Sequence, residues 1–409
     1  MSNNNQHKQG YKHTPLGWIP EEWEIKEFVE ITSKVLDGTH FSPKSKNGNY
    51  KYITSKNIRN EGLDLTDVDC IEEKEHREIY KRCPVLFGDI LLTKDGAGTG
   101  TCCMNTLQEE FSLLSSVAVL RGKDEVCENR YLFQYIKSPR GQFTIKDAIA
   151  GQAITRITLE KIRGFDIIIP PLPEQHKIAT ILSTWDEAIT KTKQIIAQLQ
   201  QRNKGLMQQL LNCKKRLKGF EGEWKRLHAT EIFKGVSIKN NGTERLLSAT
   251  QDRGIIPRDM LEARVTMPTG ETGSFKLVEA GDFVISLRSF QGGIEYSEYR
   301  GLVSPAYTVL KPTKQISTSF FKHYFKSYDF IGHLAVAVIG IRDGKQVSYE
   351  DFSILKLPYP SIEEQDAIAK VVDAAVLQVK LQEQRLAALQ QQKKGLMQKL
   401  LTGEVRVKI

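Results

Sequence analysis

From residue 178 onward, positions taken alternately four and three apart read Ile178, Leu182, Trp185, Ile189, Thr192, Ile196, Leu199, Asn203, Leu206 and Leu210. Eight of the ten are apolar. That spacing is the seam of a coiled coil, and it predicts one long amphipathic helix. The stripe recurs 190 residues later as Ile368, Val372, Ala375, Val379, Gln382, Leu386, Leu389, Lys393, Leu396 and Leu400, again eight of ten apolar. The polar interruptions fall at matching steps, Thr192 with Gln382 and Asn203 with Lys393. Polar seam residues cost stability and fix register. Glu174-Gln175 returns as Glu364-Gln365, and Lys204-Gly205-Leu206-Met207 as Lys394-Gly395-Leu396-Met397. Two ordinary surface helices on separate domains would also carry apolar stripes. Ungapped repetition over the whole of residues 171–211 favours helices that meet each other. Pro173 and Pro360 precede the two starts and Gly403 follows the second stripe, which is helix punctuation.

Outside these stripes the pattern is short and rich in β-branched residues. Residues 50–54, 89–93, 117–120 and 165–169 read as strands, and residues 131–136 as a short helix. The order then repeats with little identity. Residues 281–285 echo 88–92, residues 320–327 echo 131–138, and residues 352–357 echo the last strand. The run from Gly17 to Trp23 has a faint counterpart from Gly219 to Trp224. The expected fold is therefore α/β (α+β), with two globules separated by two long antiparallel coiled-coil helices in a pseudo-two-fold internal repeat. Expected boundaries are 1–172 for the first globule (1–12 disordered), 173–217 for the first helix, 218–358 for the second globule, and 359–409 for the second helix and a tail.

A chain of 409 residues is consistent with two to four domains. Hydrophobic content of 40% and charged content of 26% are globular values. The net charge of +9 is a modest basic excess that fits a polyanion partner without requiring one. None of the six cysteines forms a Cys-x-x-Cys pair, so reduced structural thiols are expected rather than a zinc site or disulfide framework. The N-terminus is polar and lacks a signal-peptide core, and no stretch approaches twenty apolar residues. A cytoplasmic protein that does not span a membrane is expected.

Motifs that would carry catalysis fail on inspection. Gly96-Ala97-Gly98-Thr99-Gly100 follows a strand, but no amphipathic helix follows it, and a phosphate cradle needs that helix N-terminus. A glycine-rich hairpin is expected instead. Residues 340–346 lack both P-loop spacing and the Ser or Thr after the lysine. Pro170-Pro171 is flanked by Ile169 and Leu172, not by the polar and aromatic residues of a base-flipping Pro-Pro step. The histidines have no metal-ligand spacing. What remains are basic loops at strand ends, where Arg and Lys suit guanine edges and Asn and Gln suit adenine. The candidates for DNA contact are Lys56, Asn57, Lys94 and Arg156 in the first region, and Arg253, Arg288, Arg342 and Lys345 in the second. For any one of them a solvated loop side chain is an equal alternative.

Taken together, Pro171-Leu172-Pro173-Glu174-Gln175 and the Lys204-Gly205-Leu206-Met207 helix end with their second copies, and Asp37-Gly38-Thr39-His40 and Gly88-Asp89-Ile90-Leu91, resemble the specificity subunits of type I restriction-modification systems over nearly the whole chain. The second helix departs from the pattern with Val376 where the first has Asp186, and with an irregular start from Pro358 to Glu363. The resemblance implies two target recognition domains, each reading one half of a bipartite site in double-stranded DNA. It implies two modification subunits that carry S-adenosylmethionine and methylate adenine, and restriction/translocase subunits that use ATP and Mg. Catalysis would lie on those partners. Docking would use the helices, with Leu206, Met207, Leu211, Leu396, Met397 and Leu401 as candidates. A self-sufficient DNA methyltransferase and a coiled-coil scaffold that binds only proteins are the alternatives.

Overall fold

The computed structural model describes residues 8–45, 47–150, 155–261, 272–287, 289–338 and 347–409. The two stripes form helices of 39 and 40 residues, Leu172–Leu210 and Ile362–Leu401. All twenty seam positions are buried or half-buried. Two compact units result, and each takes part of both helices. The first is Met1–Gln194 with Gln384–Ile409; the second is Ile195–Glu383.

In the first unit a four-stranded antiparallel sheet runs in the order Cys102–Met104, Ile90–Thr93, Val117–Gly122, Thr32–Asp37. A second sheet places Tyr50–Ile53 between Ser112–Leu113 and Asp69–Ile71. Asn129–Lys137 and Pro139–Ile149 are successive helices, the second capped by Ser138 Oγ, which accepts from Gly141 N at 3.1 Å. Glu24–Glu27 pairs antiparallel with Asp166–Ile169 and ties the beginning of the globule to its end, just before the long helix. The core is mostly aliphatic, with Ile31, Ile90, Ile157, Ile162, Ile167 and Ile168 essentially inaccessible. Met397, Leu400 and Leu401 from the end of the second helix join it beside Ile178 and Leu182, so the two helices run antiparallel in this unit.

The second unit repeats the plan. Its sheet order is Phe233–Val236, Thr308–Pro312, Phe283–Ile285, Glu295–Tyr296, and Lys225–His228 pairs with Lys356–Tyr359 before the second helix. Residues 352–357, read as one strand from sequence, divide here. Phe352 and Ser353 close the short helix Tyr349–Ser353, and the strand begins only at Lys356. The Ser348 capping box starts that helix and gives a local reason for the difference. Here the core is aromatic: Phe233 meets Phe283 edge-on at 5.5 Å, Phe321 at 5.2 Å and Phe352 at 6.2 Å. Leu210 and Leu211 from the end of the first helix pack with Ile368 and Val372 from the start of the second, again antiparallel.

The stop signals of the two helices match as well. Gly403 and Cys213 lie 190 residues apart, and both adopt left-handed backbone, φ 72 and 57. Val405 N bonds to Lys399 O at 3.2 Å and Lys215 N to Gln209 O at 3.0 Å, each covering a carbonyl of the last turn. Among the described residues no helix is long and apolar enough to cross a membrane.

Candidate nucleic-acid interface and the joints that carry it

The repeated Glu-Gln pair is the joint between helix and globule. Gln175 is fully buried; its Oε1 accepts from Glu128 N at 2.9 Å, and its Nε2 donates to Val126 O at 2.9 Å and Pro170 O at 2.8 Å. Gln365 does the same in the second unit, accepting from Ser317 N at 2.9 Å and donating to Pro360 O at 2.9 Å. Glu174 accepts from Trp23 Nε1 at 3.3 Å and Arg406 Nε at 2.9 Å; Glu364 accepts from Trp224 Nε1 at 3.0 Å and Arg216 Nη2 at 2.8 Å. Each arginine also lies over its tryptophan ring, 5.7 Å for Arg406 and 5.9 Å for Arg216. Hydrogen bonding to these carboxylates pushes both guanidinium pKa values up. A buried carboxylate needs such partners, which is why Trp, Glu and Arg recur together.

The loops borne by each globule are the candidate interface, and the sequence candidates fall into distinct groups. Lys56, on a short turn at Ser55–Asn57, is exposed and pairs with Asp67 at 3.2 Å and Asp69 at 3.4 Å; the Asp67 hydrogen bond holds its pKa up. Arg156 is half-exposed, 3.1 Å from Asp95. Arg253 is half-exposed, bonded to Met260 O at 3.2 Å and 3.6 Å from Asp252. Those three can reach a polyanion. Asn57 cannot read a base edge: it is 1% exposed, its Nδ2 bonds Asp64 O and Asp67 O, and its Oδ1 accepts from Thr54 N. Asn57 is a turn-former whose polar groups are consumed by backbone. Lys94 is likewise buried, 3.4 Å from Asp37 and 3.2 Å from Asp95. Arg288, Arg342 and Lys345 lie outside the described residues.

The docking candidates divide in the same way. Leu211, Leu401 and Met397 are buried in the cores of their units, so as outward docking positions they are corrected. The antiparallel crossing lays the end of each helix over the start of the other and consumes these side chains. Leu206, Met207 and Leu396 are half-buried against the same cores. The most exposed large apolar side chains of the second helix are instead Val376, Leu377 and Leu381, 44%, 53% and 54% exposed. A seam count finds the buried stripe; these three lie off it and were missed.

The glycine-rich stretch at 96–100 closes a hairpin between Ile90–Thr93 and Cys102–Met104, with Gly96 and Gly100 at positive φ. Burial raises the thiols of Cys102, Cys103 and Cys127 to about 12 and that of Cys83 to about 11, as suits unreactive core residues.

Two repeated globules, each presenting basic loops and each bolted to a long helix by the same buried joint, define a DNA-recognition protein built in halves. Residues 20–201 and 223–391 both match the type I restriction modification DNA specificity domain, and the chain belongs to that family. It is a type I specificity subunit with two DNA-recognition domains. It is 24% identical over 432 residues to a putative type I restriction enzyme MjaX specificity subunit from Methanocaldococcus jannaschii, covering 98% of both chains. It is 24% identical over 420 residues to the MjaVIII specificity subunit of the same organism, covering 95% of this chain and 94% of that one. The crystal structure of a type I restriction-modification S subunit from M. genitalium shares the fold, with a TM-score of 0.59 and 16% identity over 98% of each chain.

Proposed function

We propose that this chain is the non-catalytic, sequence-reading subunit of a cytoplasmic type I complex, and that each globule reads its own half of a bipartite double-stranded site. Two modification subunits dock on the helices and supply S-adenosylmethionine chemistry at adenine; restriction/translocase subunits supply ATP- and Mg-dependent steps. The observation that carries this reading is the contrast between joint and loop. The Trp-Glu-Arg and Gln contacts recur in both units, whereas the loop sequences carried between them repeat with little identity. Retained joints with diverged loops suit a carrier that presents two different readers.

Exchanging residues 218–357 for the second globule of another family member, then mapping methylated adenines in the host genome, tests it. One half of the methylated motif should change. A change in both halves defeats independent reading, and an unchanged motif defeats DNA reading by this globule. For docking, Leu377→Asp with Leu381→Asp should abolish co-purification of the modification subunits, since these side chains lie one helical turn apart and exposed. Retained stoichiometry would rule that surface out.

A further inference from the structure

In the first unit three loops and one helix end converge on a buried charge relay. Asp37, at the end of its strand, is 6% exposed and lies 3.4 Å from Lys94, which is 1% exposed. Lys94 also reaches Asp95 at 3.2 Å, and Asp95 lies 3.1 Å from the half-exposed Arg156. On its outer side Asp37 is 3.7 Å from His40 and 3.9 Å from Arg82, the last residue of the helix Glu73–Arg82. The carboxylates therefore face inward, and two half-exposed arginines and a histidine face outward: Arg82, Arg156 and His40 have side chains 58%, 50% and 52% exposed.

The backbone holds this arrangement in place. Gly96 N bonds to Thr155 O at 2.9 Å, Ile157 N to Lys94 O at 2.8 Å, and Thr39 N to Leu113 O at 2.9 Å. A Cβ at Gly38 would sit 1.8 Å from Leu113 O, so the loop that carries His40 is pressed against the sheet. Asp95 Oδ1 has no aligned hydrogen bond although Arg156 Nε is close by. Arg156 is thus tethered by charge, which leaves its donors free to turn toward a ligand. Among the described residues the second unit shows no such relay: Leu287 stands where the Gly88-Asp89 and Gly281-Asp282 match would place Lys94.

We propose that Lys94 is a positioning residue for sequence reading by the first globule. It bridges Asp37 and Asp95, and these two carboxylates fix Arg82, His40 and Arg156 as a hydrogen-bonding rim against one half-site. Lys94 itself touches no DNA. The proposal rests on the DNA-recognition reading above. It adds to that reading the relay and two rim residues, His40 and Arg82, that are not among the DNA-contact candidates read from the sequence.

The test uses the full chain, with whatever subunits it retains on purification, and a pool of random-sequence duplex DNA whose bound fraction is sequenced. Lys94→Met should relax base preference within one half-site only and weaken binding to the preferred duplex roughly tenfold. Arg156→Ala should relax the same half, and the double variant should lose less than the product of the two single losses, since Lys94 acts partly through Arg156 and partly through Asp37. His40→Ala, on an exposed side chain, should weaken binding without moving the thermal midpoint. Arg253→Ala serves as the control and should alter only the other half. The proposal is overturned if Lys94→Met leaves preference and affinity intact while Arg253→Ala changes its half. It is equally overturned if Lys94→Met lowers the thermal midpoint and weakens both halves alike, because Lys94 then only holds the fold. If the unaltered chain enriches no sequence at all, the DNA-recognition reading itself is what has failed.

Discussion

The two units reach one topology with different interiors. The first packs isoleucines around Trp23, and the second packs phenylalanines around Phe233. Sheet order, the strand pair before each long helix and the buried glutamine are nevertheless the same. Cores tolerate such repacking when volume and pattern are kept. The helix seams are less forgiving. In the first unit Lys393 enters the seam and pairs with Asp186 at 2.6 Å, while Gln134 donates to the same carboxylate at 2.7 Å. In the second unit the matching seam residue is Asn203, which donates to Ala375 O at 2.7 Å, and Val376 replaces the aspartate. The globule's anchor to the helix moves to His323, 2.7 Å from Asp373. Each unit thus pairs its own polar seam residue with its own acceptor. What is held in common is that the buried polar group is satisfied, not which residue it is.

The strongest way to break this matching is to transplant one half of it. Asn203→Lys places an ammonium where Val376 stands in place of a carboxylate. The variant should lose about 3 kcal/mol, the cost of a buried unpaired charge. Adding Val376→Asp should restore most of that loss in urea unfolding, and no rescue would mean that the two seams are not equivalent.

The reverse change should behave differently. Lys393→Met removes the buried ammonium but leaves Asp186, a third exposed and still bonded to Gln134, without its ion, so the chain should lose about 1–2 kcal/mol, and adding Asp186→Leu should recover that loss. Burial holds the Lys393 pKa below 10.5, with Asp186 opposing the shift. Between that lowered value and 10.5 the unfolded chain binds more protons than the folded one, so stability rises with pH across this window. Lys393→Met should remove that alkaline rise, which pH-dependent unfolding would detect. A further expected cost is register, because a polar seam residue specifies alignment.

Smaller effects separate the two helix ends. Gly403→Ala must hold left-handed backbone and meet Pro20 Cδ at 2.4 Å, so it should cost about 2 kcal/mol or more. Cys213 already occupies the equivalent left-handed position with a side chain. Cys213→Gly should therefore stabilise the second unit by roughly 0.5–1 kcal/mol, read as slower amide exchange at the end of its helix.

Much of the organisation was legible because it is periodic. The seams at four-three spacing, the 190-residue offset and the strand order all follow from side-chain repeats that local geometry imposes. The Glu-Gln pair was visible as a repeat, but its work was not, since its partners Val126, Trp23 and Arg406 are distant in sequence. The reading loops were located while their members were not sorted. Asn57 and Lys94 look as available as Arg156 in a basic loop, and nothing local distinguishes a lysine that reaches solvent from one that reaches Asp37.

The sequence by itself determined the two helices, the duplication and the class of protein, because helix period and fixed spacing are properties of neighbouring residues; the first helix ends at Leu210 and not at residue 217. Only the tertiary structure decided which charges face outward. Burial depends on what another part of the chain places over a side chain. Leu211 and Leu401 were covered by the antiparallel crossing, Lys94 by two carboxylates from different loops, and Leu377 and Leu381 by nothing among the described residues of their unit.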